Sequence, residues 1–286
     1  ITYTWQITKV SISAGDVSLS ISGWDYGESG RPSVTVYATV GGERIDIASE
    51  LLEENKITFY YGGTVNGSSD PFVLQTKDIN EVPTQAGSYT VYISIEESTN
   101  YYGIGKSETR RFTINRASVA IPVLEDNKLE YKGELIQPTV VSPETGKYDI
   151  TNAGGTDVKT DGTHYTVTLT LKDKNNYRWS DDTTDDQVLE WDIVQADNEL
   201  DFTVGQDLGG DLPGWIYGSE PSSPQVTDIS FGKDRLEEIV YTYYYKAWND
   251  SDFTKVTGDL SAASPSGYYY AVASLTGTTN YYEVTT

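Results

Sequence analysis

Gly87-Ser88-Tyr89-Thr90-Val91-Tyr92-Ile93-Ser94-Ile95 puts Tyr89, Val91, Ile93 and Ile95 at every second position. A period of two, rather than 3.6, predicts a half-buried antiparallel strand. Its Tyr, Thr and Val content agrees. The phrase returns twice. Gly162 precedes Tyr165, Val167, Leu169 and Leu171, which alternate with Thr166, Thr168, Thr170 and Lys172. Gly267 precedes Tyr269, Ala271, Ala273 and Leu275. Each glycine fits a turn into its strand, where a positive φ or a close backbone approach is needed.

Outward from this strand the three copies keep their spacing. Twelve residues past Tyr89, Tyr165 and Tyr269 stand Asn100-Tyr101, Asn176-Tyr177 and Asn280-Tyr281. Upstream lie the openings Trp24-Asp25-Tyr26-Gly27, Glu130-Tyr131-Lys132-Gly133 and Trp215-Ile216-Tyr217-Gly218. Downstream, Phe112-Thr113-Ile114 and Trp191-Asp192-Ile193 read as closing strands, followed by the connectors Asn115-Arg116-Ala117 and Val194-Gln195-Ala196. Further strands are expected at 57–61, 147–151 and 239–246, and prolines 32, 138 and 224 suit an edge strand or its start. At 45–54 and 234–239 a helical turn or an inserted loop is expected rather than a packed helix. The pattern predicts an all-β protein of three tandem Ig-like antiparallel β-sandwich modules in an elongated array. Their bounds are 10–116, 117–196 and 197–286. Modules of roughly 80–105 residues bury a working core without metal or disulfide.

Residues 1–9 read as the closing strand of a preceding module, with Tyr3, Trp5 and Ile7 on one face and Lys9-Val10 as the connector. Module three stops at Thr286, five residues past Tyr281, before any closing strand. Ile1–Thr8 is therefore expected either to pack beside module one or to complete the third module of a neighbouring molecule by head-to-tail strand exchange.

The chain has no Cys, so no disulfide framework or thiolate site exists. No apolar run is long enough for a membrane span, and no membrane insertion is expected. The net charge of −23, from 43 acidic and 20 basic residues, repels nucleic acid and anionic membranes. It suits solubility at an exposed location; divalent-cation binding is the sharper alternative.

The opening, the Gly-x-Tyr-x-Val strand, Asn-Tyr and the closing aromatic-x-Ile together resemble the MBG-type bacterial Ig-like repeats of large Gram-positive (Firmicutes) surface proteins. The closest copy is Thr84–Val91 with Asn100-Tyr101 and Phe112-Thr113-Ile114. Copy two departs by placing Gly162 one residue early, and copy three by lacking the closing strand. The resemblance implies a stalk or adhesin segment, extracellular and either cell-wall-associated or secreted.

Little in the chain points to catalysis. His164 is the sole histidine and is expected on the solvent side of its strand, without a second His or a triad order. No phosphate loop, zinc spacing or nucleophile elbow occurs, and no cofactor is implied. Asp181, Asp182, Asp185 and Asp186 form an acidic cluster that reads as a solvated loop or, alternatively, as a Ca²⁺ site built of carboxylate oxygens. The 23 Tyr and 6 Trp crowd module three, where Tyr243, Tyr244, Tyr245 and Trp248 are candidates for holding a ligand. Exposed flat rings hold sugars and partner proteins; the plainer reading is that Tyr is a good strand former. A Lys–Asn isopeptide crosslink would need buried partners in contact. The expected function is a non-enzymatic stalk or adhesion segment of a bacterial cell-surface protein, contacting a host or bacterial surface protein or glycan. The alternative is a carbohydrate-binding accessory region of a larger secreted protein or enzyme.

Overall fold

A computed structural model describes residues 1–141, 144–203 and 214–286. Among the described residues the regular elements are almost all strands, with one six-residue α-helix at Ala48–Glu53 and two short 3₁₀ turns. It divides into two compact units. One comprises Ile1–Ile121, Ser142–Ile150 and Leu169–Gln187; the other comprises Pro122–Val141, Thr151–Thr168 and Val188–Thr286.

The first unit contains a complete β-sandwich. The alternating strand Gly87–Ile95 is central in a five-stranded sheet, flanked by Ile57–Val65 and Arg110–Asn115, with Pro71–Thr76 and Trp24–Asp25 outermost. A second sheet pairs Ser33–Val40 with Val17–Ser20 and Glu43–Asp46. Tyr89, Val91, Ile93 and Ile95 all point into the core, where Leu19, Val36 and Ala38 arrive from the other sheet. Two sheets, each hydrophobic on one face, have closed on each other. At one end of this core Phe112 stacks between Tyr89 (ring centroids 5.4 Å apart) and Trp24 (5.2 Å).

The helix differs from the expectation. Ala48 and Leu51, one turn apart, are both buried, so this short helix is packed rather than a loose turn. The three glycines also differ among themselves. A Cβ at Gly87 would stand 2.3 Å from the Thr64 carbonyl oxygen and one at Gly267 2.4 Å from that of Lys246. Both are close backbone approaches. Gly162 instead has φ +80° with open space around it, which makes it a turn residue.

In the same unit Ala117–Val119 runs parallel to Tyr177–Trp179, and Trp179 is fully buried with Tyr148 against it. The second unit has a four-stranded sheet ordered Thr254–Lys255, Val240–Lys246, Tyr268–Leu275, Val284–Thr285, and a hairpin-like pair Leu200–Thr203 with Gln225–Ile229. Val226, Ile229, Ile239, Ala273 and Leu275 form one core cluster in it. Lys128–Glu130 pairs parallel with residues 192–194, as Trp24–Asp25 does with Ile114–Asn115. The N–H groups of Tyr26 and Tyr131 donate to the carbonyls of Asn115 and Val194, so the two openings align on these tyrosines, one residue off their glycine alignment. Among the described residues no helix is long and apolar enough to cross a membrane.

Phe112→Ala should lower the unfolding free energy of the first repeat by about 3–5 kcal/mol, read by denaturant titration, because it empties the space between two stacked rings.

Candidate functional site: the joints between repeats and the aromatic face of the third

Each repeat starts with the same backbone clasp. The N–H groups of Val10, Ala117 and Ala196 donate to the carbonyls of Asn100, Asn176 and Asn280, at 2.9, 2.9 and 3.0 Å. Val10 and Ala196 also accept from Tyr102 and Tyr282. The preceding connector residue reinforces the clasp in every copy. Lys9 Nζ, Arg116 Nε and Gln195 Nε2 donate to the carbonyls of Ser98, Lys174 and Thr278, each two residues before the Asn. Three different side chains thus do one job, because all that is required is a long donor.

The tyrosine of Gly-x-Tyr carries a second recurrent bond. The hydroxyls of Tyr89, Tyr165 and Tyr269 donate to the carbonyls of Gln85, Asp157 and Pro265, at 2.7, 2.8 and 2.6 Å. This makes Ala86, Val158 and Ser266 equivalent positions. On two of them the asparagine of the following repeat closes. Asn176 Oδ1 accepts the Ala86 N–H at 2.8 Å while its Nδ2 donates to Gln85 Oε1 and Asp173 Oδ2. Asn280 Oδ1 accepts the Val158 N–H at 2.8 Å while its Nδ2 donates to Asp157 Oδ1. Asp157 is held below the usual carboxylate range by the Thr156 hydroxyl and then by this Asn280 amide. Asn176 is 3 % exposed, so its polar atoms depend on these partners. Rings line the same joints: Tyr177 meets Tyr26 edge-on at 5.3 Å, and Phe231 lies between Tyr131 (5.3 Å) and Tyr281 (6.2 Å). The asparagine therefore joins repeats, a role that its fixed spacing in the sequence did not signal.

The candidate ligand-holding residues fall on two faces. Across the pair Val240–Lys246 and Tyr268–Leu275, Tyr244 stands opposite Tyr270, whereas Tyr243 and Tyr245 stand opposite Ala271 and Tyr269. Tyr243 and Tyr245 thus share the inner face, where Tyr245 lies 4.9 Å from Tyr269. Tyr244 stacks on Tyr270 at 4.6 Å on the outer face, Phe253 meets Tyr270 edge-on, and Trp248 meets Tyr268 edge-on. Lys246 reaches over Phe253 and Tyr268 at 5.1 and 5.3 Å from the ring centroids. Trp248 is 61 % exposed. Phe253 and Tyr270 belong to this cluster because strand pairing brings them in, and local spacing carries no signal for that. A cavity of about 390 Å³ in the same repeat is lined by Trp215, Tyr243, Trp248 and Tyr269 among others.

The four aspartates of the acidic loop turn to different partners. Asp181 accepts from the Thr183 N–H and hydroxyl and from Gln187; Asp182 pairs with Arg178; Asp186 pairs with Lys174 at 2.9 Å. Asp185 contributes its carbonyl to the Trp179 indole N–H. Among the described residues no three His, Asp or Glu side chains gather in a metal-sized group. The buried polar side chains among the described residues are Thr, Ser and Asn, and no lysine is among them. His164 lies on the surface with Nδ1 2.7 Å from Asp192 Oδ1, and this bond holds its imidazole above the ordinary histidine range.

No protein-family model matches this chain, and no curated protein matches it.

Asn176→Ala should cost about 1–3 kcal/mol of stability by stranding the buried Ala86 N–H. Asn100→Ala, whose side chain has no partner among the described residues, should change stability by about 0.5 kcal/mol or less. Paired denaturant titrations of the two variants check both.

Proposed function

We propose that the chain is a non-enzymatic spacer and adhesion segment of a bacterial cell-surface protein, made of three tandem Ig-like modules of the MBG type and located outside the cell. The observation that carries this reading is the recurrence of one joint. A clasp, a connector donor and a tyrosine hydroxyl bond return in all three copies, and the asparagine cap returns at both junctions between them. Selection on how one repeat meets the next is what a display or spacing role demands, since each unit contributes by its place in a series. Two further observations support the Ig-like assignment. The first repeat is two facing sheets, antiparallel but for the Trp24–Asp25 edge, in about 100 residues, and its Tyr89 hydroxyl bonds a carbonyl four residues upstream, as in the tyrosine corner of such sandwiches. The acidic surface and the absence of cysteine agree with an exposed extracellular segment. Antibodies against the chain should label intact cells of the producing bacterium; labelling only after permeabilisation would overturn the reading.

A second reading, glycan capture by an accessory region of a larger secreted protein, is favoured by one observation, the outer face on which Tyr268, Tyr270, Phe253 and Trp248 are exposed and the half-buried Tyr244 stacks on Tyr270. Flat rings with a cation among them match the apolar faces and hydroxyls of sugars. On a glycan array the chain should bind a defined set of saccharides, and Tyr244→Ala or Trp248→Ala should weaken that binding about tenfold, near 1.4 kcal/mol. Equal binding by both variants and the parent would end this reading.

A further inference from the structure

The third repeat differs from the others at a block of outward-facing positions on its four-stranded sheet. Tyr244 stands opposite Tyr270, and Lys246 opposite Tyr268. With Tyr269 aligned on Tyr89, the same positions of the first repeat hold Gly62 opposite Thr90 and Thr64 opposite Ser88. In the second repeat Thr166 and His164 stand where Tyr270 and Tyr268 do. The first repeat forms its whole sheet with small residues at these positions, so the fold does not require rings there. Because these side chains point away from the sandwich interior, their exposure follows from the face they occupy and not from which strands flank Tyr268–Leu275.

The charges on this face are as distinctive as its rings. The basic residues of the third repeat are Lys233, Arg235, Lys246 and Lys255. Lys233 pairs with Asp228, and Arg235 with Glu238. Lys246 and Lys255 instead share the ring face, Lys246 over Phe253 and Tyr268 and Lys255 opposite Tyr244. Neither makes a hydrogen bond or an ion pair among the described residues, although Asp250 and Asp252 occupy the adjoining loop. The Asp252 carboxylate accepts from the Ser251 hydroxyl. In a chain of net charge −23, this face thus combines two ammonium groups that bond no carboxylate of the described residues with a set of exposed rings.

We propose that this face binds a pyranose that carries a carboxylate, a uronic or sialic acid residue of an acidic glycan. The inference rests on the glycan-capture reading above and names its ligand class. The exposed rings cover the apolar face of the sugar, while Lys246 and Lys255 donate charge-assisted hydrogen bonds to its carboxylate. A neutral sugar uses the rings alone and leaves both ammonium groups to water. An acidic peptide satisfies the lysines, but its carboxylates sit on flexible stems without a rigid apolar ring beside them. Only the acidic sugar answers both features of the face at once.

Titration calorimetry on the 286-residue chain tests this. The probes are oligogalacturonate, sialyllactose, the carboxyl methyl ester of each, and poly-glutamate as the peptide control. One acid or both should bind about fivefold or more tightly than the matching ester, which keeps the sugar ring and loses the charge. Which acid binds separates a uronate source from a sialate one. Lys246→Gln and Lys255→Gln should each bring acid binding towards that of the ester and leave ester binding unchanged, and both should melt with the parent. Tyr244→Ala should weaken acid and ester alike. Acid and ester bound equally, acid binding unmoved in both lysine variants, or tighter binding of poly-glutamate would overturn the proposal. If neither acid binds, neutral sugars bound on the glycan array leave the glycan reading standing without this proposal, and an array without any bound saccharide overturns both.

Discussion

Everything recurrent in this protein turns on a short polar bridge. A tyrosine hydroxyl holds a carbonyl upstream of it, four places before Tyr89 and eight before Tyr165, which presents the next N–H to an asparagine of the following repeat. The tyrosine ring belongs to the core of one repeat and the asparagine to the clasp that opens the next. A single amide therefore couples the interior packing of one repeat to the entry of its successor. Because its donors and acceptor are satisfied at once, in Asn176 by Ala86, Gln85 and Asp173, burial of the amide is stabilising rather than costly.

This bridge explains which parts of the repeat must stay and which vary. The tyrosine is present in all three copies because its hydroxyl has a carbonyl partner in each, and the asparagine amide has its partner at both junctions between copies. The connector residue changes among Lys9, Arg116 and Gln195 because only a long donor is needed. The closing aromatic changes between Phe112 and Trp191 because both offer a flat face to the tyrosine beneath. The third repeat keeps the tyrosine and its hydroxyl bond but leaves the ring partly exposed.

The strands were legible in the residues. Strict alternation in Tyr89–Ile95 and Tyr165–Leu171 marks the buried face, and the structure places those side chains as alternation requires. The packed helix was not legible, since Ala48 and Leu51 supply too short a helical period to distinguish it from a loop. The aromatic run of the third repeat was legible as an excess of rings. Its division into Tyr244 outside and Tyr243 with Tyr245 inside follows from alternation, but Phe253 and Tyr270 enter only through strand pairing. The acidic run shows the opposite lesson. Four aspartates close in sequence share no partner: around a turn in which Asp182 has φ 68°, the carboxylates of Asp181, Asp182 and Asp186 turn to Thr183, Arg178 and Lys174, and Asp185 contributes its carbonyl to Trp179.

The sequence by itself determined the all-β character, the threefold repeat and the core face of each strand, because a period of two is a local property of the chain. It also matched Tyr3-x-Trp5-x-Ile7 with the closing strands. Only the tertiary structure decided that the asparagines join repeats. The Asn176 amide and the Ala86 N–H are 90 residues apart, and Asn280 and Val158 are 122 apart. No local pattern specifies a hydrogen bond across that separation; it forms when two folded sheets bring a buried amide to a backbone group that has no other partner.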